Sequence, residues 1–171
     1  MLQQAAKGMR VRAWAGMVAL LMGTAEVAAA ASNNVHDVIF KDTAGREVTL
    51  RQFHGKVLVI HVFATWDMQG LRGVQELSAL QQQRKDVQVV GVAVDGLQET
   101  RAFVNVFKPA YPVWTTAPAF TEGRTPFGLT REVPRVFVVG ADGTLRGGYA
   151  GYVPFAELEK LVEGAGARRK R

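Results

Sequence analysis

The sequence contains no cysteine among its 171 residues. This absence excludes disulfide bonds, cysteine-ligated zinc, iron–sulfur clusters and haem attached through cysteine. It also excludes thiol catalysis, because the thiolate is the attacking species in that chemistry. The lipid anchor of bacterial lipoproteins needs a cysteine too. Any function of this chain therefore has to work without a thiol.

Several other chemical signatures are missing. The sequence has no glycine-rich phosphate loop, no G-x-S-x-G and no H-E-x-x-H motif. His36 and His54 fall in the N-terminal region, and no two of the three histidines have the spacing of metal ligands. His61 with Met68 would make only a weak copper site. We therefore expect no metal and no cofactor, and we expect Asp95 to cap the helix that follows it.

The net charge of +6 is concentrated near the two ends of the chain. Basic residues cluster between Lys7 and Arg12 and again at Arg168–Arg171, so the body between them is close to neutral. Nucleic-acid binding needs a basic face on the folded domain. We predict no nucleic-acid partner, and we interpret residues 164–171 as a basic tail with at most a weak attraction to anionic membranes.

The first 31 residues have the pattern of a secretory signal. The basic region is followed by an apolar run at Ala13–Met22 and a small-residue segment at Ala25–Ala31. The apolar run is shorter than the roughly 20 residues of a membrane-spanning helix. The pattern predicts a signal peptide over residues 1–31 and a periplasmic or otherwise exported protein. An uncleaved signal that anchors the chain is the alternative.

Two apolar runs predict buried strands at Val57–Phe63 and Val87–Val94. Between them, apolar residues recur every three positions from Leu71 to Leu80, which predicts a helix with Gln81–Arg84 on its solvent side. A second helix is predicted at Leu97–Phe107, with Phe103, Val106 and Phe107 facing inward. This β–α–β order predicts parallel strands.

The remaining pattern is weaker. Two short strands are predicted near the N-terminus, and the segment 111–124 has no regular pattern. A hairpin signal surrounds Ala141–Gly143. The predicted elements are strands 35–40 and 47–50, a helical turn at 125–130, strands 135–139 and 145–149, and a helix at 154–162 with Pro154 in its first turn.

Three separated segments resemble the TlpA/ResA-like thioredoxin family of exported redox proteins, a redoxin or AhpC-TSA-like group. These segments are Phe40–Gly70, Gly91–Gly96 and Glu132–Leu145, and they occur in the family's order. The resemblance covers about residues 36–163. It implies an α/β thioredoxin-like three-layer fold over residues 35–163, with a mixed central sheet and an N-terminal β-hairpin extension.

The sequence departs from this family at the family's reactive site. The family has Trp-Cys-x-x-Cys where this chain has Trp66-Asp67-Met68-Gln69-Gly70. Asp67 and Gly70 thus replace both cysteines, and the family's disulfide reductase activity does not carry over. We expect Asp67 to act as a helix N-cap, and Gly70 to open the surface beside Trp66.

The resemblance also indicates a binding groove. Pro134 matches the family's cis-proline, and a cis Val133–Pro134 bond would let the flanking backbone pair with an extended peptide. The alternative is that Pro134 only sets the turn. His61 is expected beneath the site as a neutral, hydrogen-bonded core histidine. The alternative is that it lends a proton to chemistry near Asp67. The predicted binding residues are Trp66, Asp67, Met68, Gln69, Val133 and Pro134.

Three functions are consistent with these observations. The first is a non-catalytic module that binds a protein or peptide partner in the cell envelope. The second is the family's own class, thiol–disulfide oxidoreductase, with an indirect role in presenting substrates to a true oxidoreductase. The third is a metal or small-molecule binder. The missing cysteines favour the first.

Overall fold

A seven-stranded mixed sheet forms the centre of the computed structural model, which describes residues 34–167. The strand order is β2-β1-β5-β4-β3-β6-β7. The predicted signal segment 1–31 and the basic residues 168–171 lie outside the described residues. The strands are β1 (Ile39–Lys41), β2 (Glu47–Thr49), β3 (Val57–Phe63), β4 (Val87–Ala93), β5 (Val113–Thr115), β6 (Arg135–Val139) and β7 (Leu145–Ala150).

Strand β3 is the central strand, and all seven of its residues are buried. It pairs in parallel with β4, with Val57 opposite Val87, and antiparallel with β6. A strand that is covered on both faces has no polar alternation, which explains its nearly continuous apolar sequence. The predicted β–α–β unit with parallel strands is confirmed.

The helices α1 (Met68–Gln83), α2 (Leu97–Phe107) and α4 (Phe155–Gly164) supply the residues that pack on one face of the sheet. The other face is covered by two 3₁₀ turns, the short helix α3 (Pro118–Thr121) and the segment around Phe127. The predicted three-layer α/β architecture is confirmed. No helix within residues 34–167 is long and apolar enough to cross a membrane.

Several predicted elements need correction. The segment predicted as a strand at 35–40 begins with a 3₁₀ turn at Val35–Asp37, where the Asn34 side chain accepts from the His36 N–H. The segment 125–130 forms a turn, closed by the Gly128 N–H and the Thr125 carbonyl at 2.9 Å, and no helix. Strand β5 and helix α3 lie in the segment 111–124, for which no regular element was predicted. Both elements are too short to produce a recognisable sequence pattern. Pro154 is the N-cap of α4 and lies outside its first turn.

The predicted hairpin between β6 and β7 is confirmed. The Gly140 N–H donates to the Thr144 carbonyl at 2.9 Å, and Gly143 has a φ of +80°. The Asp142 carboxylate accepts from the Thr144 N–H at 3.0 Å. This hydrogen bond lowers the pKa of Asp142. The Asp-Gly pair therefore suits this turn. Asp142 accepts a hydrogen bond from the turn backbone, and Gly143 adopts the positive φ that the turn needs.

The inward orientation predicted for Val106 and Phe107 is wrong. Helix α2 buries Thr100 and Phe103, whereas Val106 is 73% exposed and Phe107 is 50% exposed. Val106 lies at the margin of the buried stripe, one turn beyond Phe103, where the domain leaves it uncovered. Phe107 is the last helical residue, and its ring stacks on that of Phe103 with centroids 4.8 Å apart. Both residues thus add apolar surface to the outside of the molecule.

Arg84, predicted on the solvent side of α1, is buried. It follows the last turn of α1, where the chain turns back into β4. Its guanidinium donates to both carboxylate oxygens of Asp86, at 3.1 and 3.0 Å, and lies 3.6 Å from Glu163 of α4. The hydrogen bonds to Asp86 raise the pKa of Arg84. The ion pairs therefore connect the end of α1 to β4 and α4.

We predict that Arg84→Ala lowers the free energy of unfolding by about 2–3 kcal/mol, because a buried cation and its charge-assisted hydrogen bonds are lost together. Lys85→Ala is the control, since Lys85 is exposed and adjacent, and it should change stability by less than about 0.5 kcal/mol. Urea denaturation measures both. Equal stability of the two variants would contradict the role given to Arg84.

Candidate functional site

The predicted site residues lie at one end of the sheet. Strand β3 ends at Phe63, and the chain continues through Trp66 to the start of α1. In the register of β3 and β6, Val62 is opposite Arg135, so Val133 and Pro134 lie beyond the same end of the sheet. The fold therefore brings the two predicted halves of the groove to one edge, although they are more than 60 residues apart in sequence.

The second half of the groove is held by β7. The Val133–Pro134 peptide bond is cis, and the Pro134 carbonyl accepts from the Gly151 N–H at 2.8 Å. Gln69 lies near the same glycine, because a Cβ added at Gly151 would meet its amide oxygen at 4.0 Å. Pro134 is buried and Val133 is half-buried. Gly151 thus adjoins both predicted halves of the groove.

Asp67 is the N-cap of α1. Its carboxylate accepts from the Gly70 N–H at 2.8 Å, and its backbone is extended. An aspartate cap satisfies one of the free N–H groups of the first turn and contributes about 1 kcal/mol. The predicted capping role is confirmed. The carboxylate occupies the helix N-terminus, where an anion is favoured by the helix dipole.

Trp66 and Met68 flank this cap and project into solvent. Trp66 is 75% exposed and Met68 is 70% exposed. Two large apolar side chains are therefore left uncovered at the start of α1. Both residues were predicted to bind, and the structure places them at an accessible surface. We call Trp66, Asp67, Met68, Gln69, Val133 and Pro134 the Trp66 surface.

Asp95 does not cap α2, contrary to the prediction. The N-cap of α2 is Gly96, and the Asp95 carboxylate instead accepts from the Thr65 N–H at 2.5 Å. This bond connects the end of β4 to the residue before Trp66. Sequence patterns could not identify it, because the two partners are 30 residues apart. Asp95 therefore positions the loop that carries Trp66.

Gly70 is buried, so it does not open the surface as predicted. A Cβ at this position would lie 3.1 Å from the Phe63 Cβ and 3.3 Å from the Asp67 carboxylate. Such contacts are tighter than ordinary packing, so a larger residue would require a small shift of Phe63. Glycine thus allows close approach between α1 and the end of β3.

His61 lies in the core beneath α1, as predicted. Its ring stacks on Phe63 at 4.8 Å and packs against Gly73, where an added Cβ would lie 3.1 Å from Nε2. Burial lowers the pKa of His61 to about 3, because the charged form would lose its hydration. Contrary to the predicted hydrogen bonding, its Nδ1 has no hydrogen-bond partner in the described part of the chain. The imidazole is therefore neutral, and no hydrogen bond there joins it to Asp67.

The histidines do not build a metal centre. His36 and His54, which sequence spacing did not connect, have ring centroids 5.1 Å apart. His36 Nδ1 lies 3.3 Å from the Leu50 carbonyl oxygen. His61 is in the core, whereas Met68 is at the surface. From residue 34 to residue 167, no three histidine or carboxylate side chains group as a metal site would require.

No protein-family model matches the chain, and no curated protein matches its sequence. Solved structures do match. A thioredoxin family thiol:disulfide interchange protein from Chlorobium tepidum is 23% identical, with a TM-score of 0.64 over 78% of this chain and 97% of that one. DsbF of Mycobacterium tuberculosis is 23% identical, with a TM-score of 0.60 over 76% and 96%.

A third solved structure is a secreted M. tuberculosis disulfide oxidoreductase homologous to E. coli DsbE. It is 18% identical and has a TM-score of 0.62, over 74% of this chain and 94% of that one. These similarities show that the chain has the thioredoxin-like fold, as its sequence motifs predict. The interchange chemistry named for these proteins needs cysteines, which this chain lacks.

We predict that acid destabilises this protein partly through His61. Its pKa rises on unfolding from about 3 to the usual 6.5, so below pH 6.5 the unfolded chain takes up a proton that the folded chain does not. The free energy of unfolding should fall as the pH decreases from about 6.5 toward 3, by at most about 1.4 kcal/mol per pH unit.

His61→Leu should reduce this slope between pH 6.5 and 4 in thermal or urea denaturation. His54→Leu is the matched control, because it removes an exposed imidazole. Parallel stability–pH profiles for the wild-type chain and His61→Leu would show that the buried imidazole is not responsible.

Proposed function

We propose that this protein is an exported, non-catalytic module that binds a peptide or protein partner at the Trp66 surface. The observation that carries the proposal is the exposure of Trp66 and Met68, at 75% and 70%, on either side of the N-cap of α1. Solvent-exposed tryptophan is unfavourable unless something covers it, and tryptophan is enriched at the centres of binding interfaces.

The backbone at the opposite side of the groove supports the same function. The N–H and C=O of Val133 make no backbone hydrogen bond within residues 34–167. Free backbone groups next to a strand can accept an extended peptide by β-augmentation. Apolar contacts to Trp66 and main-chain hydrogen bonds to Val133 would together hold such a segment across the groove.

Export is part of the proposal. It is supported by the signal-like pattern of residues 1–31. One of the structural neighbours is described as secreted, which is consistent with that pattern. A partner in the periplasm or cell envelope follows from this location.

We predict that the full-length chain captures a defined partner from envelope extract, and that Trp66→Ala reduces the capture at least about tenfold by removing an interface anchor. Pro134→Ala tests the second half of the groove. Ile39→Ala is the matched control, because Ile39 is also exposed and apolar but lies on β1, several strands away. Quantitative mass spectrometry of the captured proteins is the measurement. A captured set that is the same for all four proteins would exclude the Trp66 surface as the binding site.

The second candidate function is thiol–disulfide exchange, which the structural neighbours favour by their names. We predict that the wild-type chain reduces insulin in the presence of dithiothreitol only at the background rate, since it has no thiolate to form a mixed disulfide. Asp67→Cys with Gly70→Cys should exceed the background, because a cysteine at a helix N-terminus has a lowered pKa. Asp67→Cys alone is the control, as it lacks the second thiol. Activity of the purified wild-type chain above background would overturn the non-catalytic assignment.

A further inference from the structure

A cavity of ≈ 350 Å³ opens beside the Trp66 surface. Thr65, the residue before Trp66, forms one wall, and helix α2 forms the rest. This cavity is at the lower end of the range of ligand pockets, about 300–1,000 Å³, so its size suits one large side chain. The lining residues are Thr65, Glu99, Ala102, Phe103, Val106 and Phe107.

The walls of the cavity are mostly apolar. Phe103, Val106 and Phe107 follow the i, i+3, i+4 spacing of one helix face. The core of this domain covers only Phe103, so Val106 and Phe107 contribute uncovered apolar surface to the cavity. An apolar stripe on a helix that its own domain leaves uncovered is the usual basis of docking by an apolar side chain.

The cavity adjoins the Trp66 surface at Thr65, which precedes Trp66 in the chain. The Thr65 N–H is held by the Asp95 carboxylate, which fixes the wall that adjoins Trp66. The Phe103 ring contacts Phe63, with centroids 5.1 Å apart, and Phe63 underlies Gly70 of α1. A segment that crosses Trp66 would reach the cavity at this shared wall, because Thr65 is the chain neighbour of Trp66.

The charged side chain in the lining of the cavity is acidic. Glu99 is the charged residue of the lining, it is exposed, and its carboxylate lies beside Gly96 at the start of α2. Asp67 and Asp95 lie on the same edge of the sheet. A cation next to the inserted apolar side chain is therefore attracted, whereas an anion is repelled.

We propose that the cavity receives one bulky apolar side chain of the bound partner segment, with an adjacent lysine or arginine facing Glu99. This inference rests on the proposed function and specifies which segments the Trp66 surface selects. The partner is thus an extended chain that carries a large apolar residue followed by a basic one.

Fluorescence anisotropy of the full-length chain with labelled Gly/Ser decapeptides tests the proposal. The peptides differ only at the two central residues, which are Phe-Lys, Ala-Lys or Phe-Glu. We expect Phe-Lys to bind about tenfold more tightly than Ala-Lys, and several-fold more tightly than Phe-Glu.

Two variants locate these preferences. Ala102→Trp fills the cavity and should remove the preference for Phe over Ala, whereas Asn105→Trp adds the same ring at an exposed position of the same helix outside the cavity lining and should retain it. Glu99→Gln should reduce the preference for Lys over Glu and leave the preference for Phe.

The outcomes separate the two proposals. If the wild-type chain binds all three peptides with equal affinity and Trp66→Ala binds none of them, the cavity assignment is overturned and the proposed function stays intact. A preference for Phe that persists in Ala102→Trp would overturn the cavity assignment too. No binding of any peptide by the wild-type chain up to about 1 mM would overturn both.

Discussion

The backbone hydrogen bonds that hold β3 between β4 and β6 determine where the whole site lies. Because β3 is packed on both faces, a shift by one residue would exchange the side chains that the two sides of the core receive and disrupt the packing of each. The register of β3 with β6 is therefore fixed. It places Trp66, which follows β3, and Val133, which precedes β6, beyond the same end of the sheet. Parallel pairing with β4 also brings Asp95 next to Thr65, and the Asp95 carboxylate accepts from the Thr65 N–H. The loop that carries Trp66 is therefore restrained on the β4 side as well as on the β6 side.

Asp67 and Gly70, which stand where the resembled family has cysteines, fit the start of α1 without strain. A helix that begins at the end of a buried strand presents free N–H groups, and Asp67 satisfies one of them through Gly70. Gly70 in turn allows α1 to approach Phe63 closely. The fold thus keeps its architecture and its exposed aromatic surface while the reactive atoms are absent. The proposed binding and the missing chemistry have different requirements, since binding needs shape and apolar area, and disulfide exchange needs sulfur.

Much of the fold could be predicted from local patterns. β3, α2 and β6 have the predicted bounds, because each is long or strongly apolar and is ended by turn residues. The errors concern residues whose environment is set by distant parts of the chain. Asp95 bonds to a residue 30 positions away, and Arg84 is buried under α4. The outward position of Phe107 depends on where the sheet ends, which helical periodicity does not encode. The cavity could not be predicted for the same reason.

The aspartate at the start of α1 also has a consequence for where such a surface can operate. A dithiol changes its covalent form with the reduction potential of its surroundings, whereas a carboxylate keeps one form in oxidising and in reducing compartments. The anion beside Trp66 is therefore independent of electron supply. Under the proposed function, the Trp66 surface needs no reducing partner to be regenerated after each encounter, and the concentration of the proposed partner sets how much of it is occupied.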